Sequence, residues 1–309
     1  RAPRPAFRGF TLIDLLVAVT IIAILATIGL GALNSARESA RVAKTQATVT
    51  KLHYLIMNKY DSYRTRRLPI NTVGMNPNVA ARARLNAVRD LMRMEMPDRF
   101  TDITDGPLTG ITQPSLSLRY RRIVAAATGA TDEHGAAECL YLIVSAIPGA
   151  MEQFHSNEIA DVDNDGLPEF IDAWGNPIRF IRWPAGFYAH AEHDFHGDSE
   201  LQFGPDPLPC GDPNPKYQPD PFDPTKQAPG DFALFPLVYS AGPDEEYDIN
   251  RGLDSSLNTY AYVLTGGNLE IINPMGVNYE IGRPMNNRDP SIPFGDLRHY
   301  DNIHNHRSP

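Results

Sequence analysis

The chain contains only two cysteines, Cys139 and Cys210, which stand seventy-one positions apart. Paired cysteines two residues apart, the usual spacing of a structural zinc site, are therefore absent. In a compartment outside the cytoplasm the two thiols could form one disulfide. Alternatively both remain unpaired, with Cys139 buried in an apolar helix, and the sequence leaves these two interpretations open.

Basic residues are also in the minority. The 309-residue chain has 28 Lys and Arg against 37 Asp and Glu, which gives a formal net charge of −9. Proteins that bind nucleic acid usually carry a basic excess or a basic stripe, so no nucleic-acid partner is indicated. The motifs GxSxG, HExxH, the P-loop and the glycine-rich dinucleotide fingerprint are missing as well. We therefore expect no enzymatic activity.

Histidines occur in two groups, and neither group clearly indicates a catalytic or metal site. His190, His193 and His196 lie three residues apart among acids, a pattern that suits either a transition metal or, as we favour, a surface loop. The tail DNIHNHR contains His304 and His306, and we expect it to be an exposed end.

A long apolar run is present near the start of the sequence. From residue 10 to residue 33 the only charged residue is Asp14, and three arginines precede the run. Twenty-four helical residues span about 36 Å, enough to cross a hydrocarbon core of roughly 30 Å. By the positive-inside rule the arginines place the N-terminal end in the cytoplasm. The rest of the chain is therefore expected on the other side of the membrane.

The stretch GFTLIDLL, which begins at Gly9, resembles the type III signal of type IV pilins and type II secretion pseudopilins, whose usual form is GFTLIELL. The resemblance implies that a prepilin peptidase cuts between Gly9 and Phe10 and that the new amine of Phe10 is methylated. Asp14 takes the fifth mature position, where the family has Glu. The resemblance implies that this acid pairs with the terminal amine of a neighbouring subunit. The alternative is a carboxylate solvated at the depth of the lipid headgroups.

The helix is predicted to continue beyond the membrane. Residues 34–60 contain no proline or glycine, and apolar residues recur near one face at Val42, Val49, Leu52, Ile56 and Tyr60. We predict one helix from residue 10 to residue 60. The predicted organisation is a leader at 1–9, a transmembrane or filament-core helix at 10–33, the amphipathic half of the same helix at 34–65, and an exported head domain at 66–309.

The head is predicted to be α+β, with extra helices, a small antiparallel sheet and long proline-rich loops. Helical patterns cover residues 78–96, 116–127 and 136–147, and short apolar runs at 177–183, 232–240 and 260–264 are typical of strands. Residues 205–230 contain nine prolines, which indicates an extended loop.

One acidic stretch, DVDNDGLPEFID at 161–172, has the ligand spacing of an EF-hand-type calcium loop. Such a loop supplies oxygens from positions 1, 3, 5, 7, 9 and 12, with glycine at position 6. Aspartates at alternate positions repel each other unless a cation neutralises them. We predict a calcium loop without the full helix-loop-helix, and a solvated acidic turn is the alternative. The candidate ligands are Asp161, Asp163, Asp165, the Leu167 carbonyl, Glu169 and Asp172.

Two further stretches of the head resemble major pseudopilins of type II secretion. Asp172, Trp174, Gly175 and Pro177 match their D-x-WG-x-P motif, and SAGPD at 240–244 matches the segment that leads into their calcium-binding loop. The acids that follow differ from the family's glycine-rich continuation. A second metal site and a plain turn are both open for Asp244, Glu246 and Asp248.

Together these features predict a subunit of a homopolymeric or mixed pilin-like filament of the type II secretion pseudopilus type. The subunit would cross the cytoplasmic (inner) membrane once, with its N-terminus cytoplasmic, its head periplasmic or extracellular, and calcium as its cofactor. Two alternatives stay open from the sequence. One is a minor pilin of a type IV pilus or a DNA-uptake system. The other is a membrane-tethered calcium-binding or adhesive domain that never polymerises.

Overall fold

The computed structural model describes residues 12–129, 131–187, 219–228, 232–251, 263–265, 268–270, 281–282 and 302–306. The chain divides into two compact units, Arg1–Ala43 and Lys44–Pro309. The long helix α1, Leu12–Ser62, contributes residues to both units. The single helix that the sequence predicts is thus confirmed over the described residues.

Over the described residues, the first unit consists of residues 12–43 of α1, most of which are apolar. Its large apolar side chains are exposed, from Leu12 at 82% to Leu33 at 47%. The hydroxyl groups of Thr20 and Thr27 donate to the carbonyls of Val17 and Ile24 one turn back, at 2.8 Å each. These two hydroxyl groups thus have acceptors within the helix, as lipid requires. In the part of the chain that the structure describes, α1 is the one helix long and apolar enough to span a membrane.

The second half of α1 belongs to the core of the second unit. Its buried residues lie along one face of the helix, mostly three or four positions apart. They are Thr45, Thr48, Val49, Leu52, Ile56 and Tyr60. The predicted apolar face is confirmed from Val49 onward, whereas Val42 is only half-buried. Burying one stripe of a helix in this way is the main source of its stability.

Four more α-helices follow in the described part of the second unit. They are α2 (Pro77–Glu95), α3 (Phe100–Thr104), α4 (Ser115–Val124) and α5 (Gly135–Ser145). Helix α2 starts where Asn76 accepts a hydrogen bond from the Asn78 amide and proline occupies the first turn. Two 3₁₀ turns, Ala150–Gln153 and Ser156–Glu158, come after α5. The three helices that the sequence predicts here are confirmed, while the five-residue α3 was not predicted.

The strands are short and all described pairs are antiparallel. One hairpin pairs β1 (Ile159–Ala160) with β2 (Glu169–Phe170), and another pairs β5 (Val263–Thr265) with β6 (Asn268–Glu270). A three-stranded sheet has the order β3 (Arg179–Ile181), β4 (Leu237–Ser240) and β7 (Ile303–His304). The predicted small antiparallel sheet is confirmed. The predicted strand regions 177–183 and 232–240 contain β3 and β4, and the region 260–264 overlaps β5.

The tail was expected to be exposed, and this expectation is wrong for the described residues 302–306. The Asn305 amide donates to Val238, and His304 lies opposite Tyr239 in the sheet. His306 is fully buried, with its ring 5.4 Å from that of Phe187. Backbone pairing with β4 therefore draws this polar segment into the fold.

Helix α5 packs into two apolar clusters at once. Leu140, Ile143 and Val144 join the large core that also holds the buried stripe of α1. Cys139 and Leu142 join a smaller cluster with side chains of α3 and α4. The nearly apolar sequence of α5 is explained by this position, since most of its residues are covered by other elements.

A buried ionic network, which the sequence does not reveal, joins α2, α3 and the end of β3. The Arg182 side chain is fully buried and donates to Asp102 at 2.8 Å and to the Met96 carbonyl at 2.7 Å. Burial alone would raise the pKa of Asp98, but the guanidinium groups of Arg182 and Arg99 hold it well below its usual range.

We predict that Arg182→Met destabilises the protein by about 3–5 kcal/mol, because it removes the guanidinium group nearest to the buried carboxylate of Asp102. The measurement is urea unfolding of the full chain in detergent. Arg119→Met is the matched control, since Arg119 is exposed on α4, and its effect should stay within about 0.5 kcal/mol. Equal effects of the two variants would contradict the proposed contribution of the network.

Candidate functional site

The acidic stretch forms the connection between β1 and β2. Ala160 pairs directly with Glu169, so residues 161–168 close the hairpin as a loop. Asn164 and Gly166 adopt the left-handed region, with φ of 61° and 96°. Glycine suits that conformation because it has no Cβ, and asparagine tolerates it better than most residues. The loop sequence therefore permits the tight turns that its hydrogen bonds require.

The loop is held by its own carboxylates. Asp161 accepts from the amides of Asp165 and Gly166, both at 3.1 Å, and Asp163 accepts from Asp165 at 3.3 Å. Asp165 in turn accepts from the Leu167 amide at 2.7 Å. These bonds bring together one oxygen each of Asp161, Asp163 and Asp165, all within 4.8 Å of one another. The Leu167 side chain is buried in the smaller apolar cluster.

Two glutamates complete a second group around the same loop. Oxygens of Glu138, Asp163 and Glu169 also lie within 4.8 Å of one another. Glu138 comes from the first turn of α5 and Glu169 from β2, and both residues are 0% exposed. Asp163 belongs to both groups, so loop, strand and helix supply carboxylates to one region.

Several of these oxygens are buried without a hydrogen-bond partner among the described residues. They are Oε1 and Oε2 of Glu138, Oε1 of Glu169 and Oδ2 of Asp165. The other oxygen of Glu169 accepts from the Val162 amide at 3.1 Å. An unsatisfied buried carboxylate is costly, and native proteins rarely keep one without an ion or a proton.

The electrostatics of the site follow from this crowding. Burial, and then the charges of Asp165 and Glu169, raise the pKa of Glu138 to about 8. Burial and the neighbouring aspartates raise the pKa of Glu169 to about 7, and burial raises that of Asp165. The protein by itself thus disfavours full ionisation of the site, and a proton or a cation relieves the repulsion.

The donor set fits a hard cation, because it consists of oxygens alone. Calcium binds oxygens at 2.3–2.6 Å, so two ligands of one ion lie at most about 4.6–5.2 Å apart. The separations of up to 4.8 Å within each group fall inside that limit. The residues that could hold calcium are Asp161, Asp163, Asp165, Glu169 and Glu138.

The structure does not bring Asp172 together with these acids. Its Oδ1 accepts from the amides of Trp174, Gly175 and Asn176, each at 2.9 Å. Its Oδ2 accepts from the Ser240 hydroxyl at 2.7 Å. Asp172 therefore caps the turn after β2 and joins it to β4. The side chain at the twelfth position of the loop spacing bonds this turn and Ser240 rather than the other acids of the loop.

Glu138 was missed by the sequence analysis. The ligand spacing of an EF-hand-type loop relates only residues that are close in the sequence. Glu138 precedes the loop by more than twenty residues. One signal was available, since Glu138 is the single charged residue in the apolar stretch AAECLYLIVSAI at 136–147. A lone acid in a helix expected to be buried needs a partner.

The second acidic stretch forms a turn after β4. Oxygens of Asp244, Glu246 and Asp248 lie within 4.8 Å of one another, but Asp244 and Glu246 are exposed. Asp244 accepts from the Glu246 amide at 2.9 Å. Since exposed carboxylates are solvated at little cost, this geometry suits a plain turn as well as a metal site.

Cys139 is a free thiol, fully buried in α5, and burial raises its pKa well above the ordinary value. It therefore has little thiolate character. The other residues singled out in the sequence lie outside the described residues, and they are Gly9, Phe10, His190, His193, His196 and Cys210.

Asp14 lies in the first turn of α1 and is exposed among apolar side chains that are exposed as well. The N-terminal end of a helix carries partial positive charge, which favours a carboxylate there. An apolar surface of this extent is unusual for a protein in water and is typical of contact with lipid or with other helices.

We predict that Asp172→Ala lowers the free energy of unfolding by about 1–3 kcal/mol, because three amides lose their acceptor. The loss should be the same with excess calcium as with EDTA, as measured by urea unfolding of the full chain. Asp244→Ala, which removes an exposed turn acceptor, is the control and should have little effect in EDTA. A loss confined to the calcium-containing sample would identify Asp172 as a ligand instead.

Residues 4–30 match the family model described as the prokaryotic N-terminal methylation motif. The match includes Gly9, Phe10, Asp14 and most of the apolar half of α1. No curated protein and no solved structure matches the chain. The long apolar helix near the N-terminus fits a single-pass inner-membrane anchor of the pilin kind. The motif and this helix together fit a type IV pilin-like protein, made as a precursor of the kind that a prepilin peptidase processes.

Proposed function

We propose that the protein is a structural subunit of a pilin-like filament, of the type formed by the pseudopilus of type II secretion. The observation that carries the proposal is the methylation motif at the start of one 51-residue helix. The first half of that helix exposes apolar side chains, and its second half is buried in a folded unit. A helix of this kind has an apolar surface available for a membrane and for other subunits.

Processing follows from the order of residues in the motif. The small residue Gly9 precedes the apolar run, so cleavage after it removes residues 1–9 and leaves the anchor on the product. The new terminal amine is that of Phe10, which then becomes methylated. Three arginines before the run keep the leader in the cytoplasm. The second unit is then exported to the periplasmic or extracellular side.

Assembly would depend on pairing between the terminal amine of one subunit and Asp14 of another. A carboxylate within the bilayer is costly, by roughly 2.5–3.5 kcal/mol at the centre of a membrane helix. A methylated amine keeps its positive charge and can compensate that carboxylate when helices pack side by side. The free energy of the subunits is therefore lower when they associate than when they remain single in the membrane.

Calcium would stabilise the head through the acidic loop. The buried and unpartnered oxygens of Glu138, Glu169 and Asp165 support this part of the proposal. A ligand that binds only the folded state adds to its stability as its concentration rises above the dissociation constant. Filament assembly would then require calcium if heads without the ion are too unstable to pack against neighbouring subunits.

The resemblance of two head segments to major pseudopilins favours the secretion-type filament. Asp172 of the D-x-WG-x-P motif and Ser240 of the SAGPD segment hydrogen-bond to each other at 2.7 Å. The two stretches that resemble the same family are thus neighbours in the fold, although they are far apart in the sequence.

Processing can be tested by expressing the chain together with a prepilin peptidase. We expect the mature product to begin with N-methylated Phe10, as measured by mass spectrometry of the N-terminal peptide. Gly9→Val should retain the leader, because the peptidase needs a small residue there. Gly31→Ala is the control, since a Cβ at that helix position has no atom within 4 Å. Normal cleavage of the Gly9→Val chain would contradict the proposed site.

Assembly is tested by Asp14→Ala. We expect membrane insertion and cleavage to continue, while subunit association weakens by at least about 100-fold, because a broken buried ion pair costs about 3–5 kcal/mol. Electron microscopy of sheared filaments provides the measurement. Asp14→Glu keeps the charge and should still assemble. Intact filaments from Asp14→Ala would favour an assembly route that does not need this charge.

A further inference from the structure

Glu138 is a buried acid whose carboxylate receives no hydrogen bond from the described residues. It is 0% exposed, and neither of its carboxylate oxygens has a hydrogen-bond partner among the described residues. Its neighbours in the first turns of α5, namely Ala136, Ala137, Cys139 and Leu140, are also at most 1% exposed. The partial positive charge of the helix N-terminus favours a carboxylate there, but it provides no hydrogen bond to the side chain. Two unsatisfied buried oxygens indicate that this group takes up a proton or a bound cation.

The surroundings of Glu138 identify the chemistry of that ligand. One of its oxygens lies within 4.8 Å of oxygens of Asp163 and Glu169. Burial and the acids at 161, 163, 165 and 169 together raise its pKa to about 8. A negatively charged or neutral ligand would find no positive group to bind among these acids. A divalent cation that takes oxygen ligands can bind Glu138 together with Asp163 and Glu169 and neutralise the charge that the acids share.

The loop also needs a closing ligand. An EF-hand-type loop ends with an acid at position 12 that grips the ion with two oxygens. That position is Asp172 here, and both of its oxygens already accept hydrogen bonds from the turn at 174–176 and from Ser240. Both oxygens of Glu138 lack a hydrogen-bond partner among the described residues, and one of them lies within 4.8 Å of oxygens of Asp163 and Glu169.

We propose that Glu138 of α5 is the closing ligand of the calcium site, so that calcium fastens α5 to the loop between β1 and β2. The inference rests on the calcium binding included in the proposed function. The site is then assembled from two distant parts of the sequence rather than from one continuous loop. Calcium is favoured over magnesium, because the two groups of three carboxylate oxygens offer many protein ligands, whereas magnesium usually retains several waters.

If Glu138 is a ligand, calcium binding also stabilises the packing of α5 against the loop between β1 and β2. Leu167 of the loop and Cys139 of α5 lie in the same apolar cluster. The Thr128 amide, in the connection that leads to α5, donates to the Asp165 carbonyl at 2.9 Å. Calcium bound at Glu138 therefore reinforces contacts that already join these segments, and hydrogen exchange in α5 should slow when the ion binds.

The test is calcium titration of the full chain in detergent, after treatment with EDTA, by isothermal titration calorimetry. We expect Glu138→Gln to bind calcium at least about 10-fold more weakly than the wild type, since loss of supporting groups alone costs metal sites about 10–100-fold. Glu152→Gln, an exposed glutamate of the following 3₁₀ turn, is the matched control and should bind normally. Asp172→Asn should also retain its calcium affinity.

Thermal unfolding in EDTA separates a ligand from a merely structural residue. The Glu138→Gln chain should melt at the same temperature as the wild type or higher, because a neutral amide replaces a buried carboxyl group whose ionisation four neighbouring acids disfavour. Calcium should then raise its melting temperature less than it raises that of the wild type. If Glu138→Gln yields no folded protein, Glu138→Asp is titrated, and its shorter side chain should also weaken binding at least about 10-fold.

Unchanged calcium affinity in Glu138→Gln, or in Glu138→Asp where that variant replaces it, overturns the inference while the calcium loop stands. Weakened binding in Asp172→Asn with normal binding in Glu138→Gln overturns it as well, in favour of the continuous loop. If the wild type binds no calcium, the calcium part of the proposed function fails together with this inference. Filament assembly through Asp14 is measured separately and would be unaffected by that result.

Discussion

The second half of α1 can lie inside the folded unit because the surrounding chain provides partners for its polar groups. Thr45 accepts from the Ala173 amide at 3.0 Å, and the Tyr60 hydroxyl donates to the Leu234 carbonyl at 2.7 Å. Lys51 bonds Glu158 at 2.8 Å, close to the base of the acidic loop. Apolar burial drives the packing, while these bonds fix which face of the helix is buried and in which register.

The two candidate sites share one physical principle under the proposals made above. Each holds carboxylates in surroundings where water cannot solvate them well, and each obtains its positive charge from outside the chain. For Asp14 the cation would be an amine of another subunit, and for Glu138 and Glu169 it would be a metal ion. Uncompensated charge in a low dielectric is costly. Carboxylates of this kind therefore favour association with another subunit or binding of a cation, because either one compensates a charge that the chain alone does not.

Periodicity along the sequence predicted the long elements well. The helix α1 and the helices α2, α4 and α5 have enough turns for an apolar face to be recognised. Helix α3 has only five residues, and the strands have two to four, too few for a period to be visible. Whether β7 and His306 are buried depends on pairing with β4, which is distant in the sequence. Such pairing cannot be obtained from local patterns.

The candidate metal site shows the same division between local and distant information. Asp161, Asp163 and Asp165 are brought together by hydrogen bonds within the loop, and their spacing predicted this. Asp172 has the correct spacing, yet Ser240, sixty-eight positions later, takes one of its oxygens. Glu138 has no spacing relation to the loop at all. The buried partners of Arg182 were equally invisible, because they come from α2, α3 and the segment between them.

The pairing of β7 with β4 has a practical consequence for anyone who shortens or labels this protein. The polar composition of residues 300–309 suggests a segment that could be trimmed, but a variant ending before residue 302 would lose an edge strand and the buried imidazole of His306. The exposed backbone groups of β4 would then be left open to strands of other molecules. A fluorescent or affinity label is better placed near Val73, which is 90% exposed in the connection before α2.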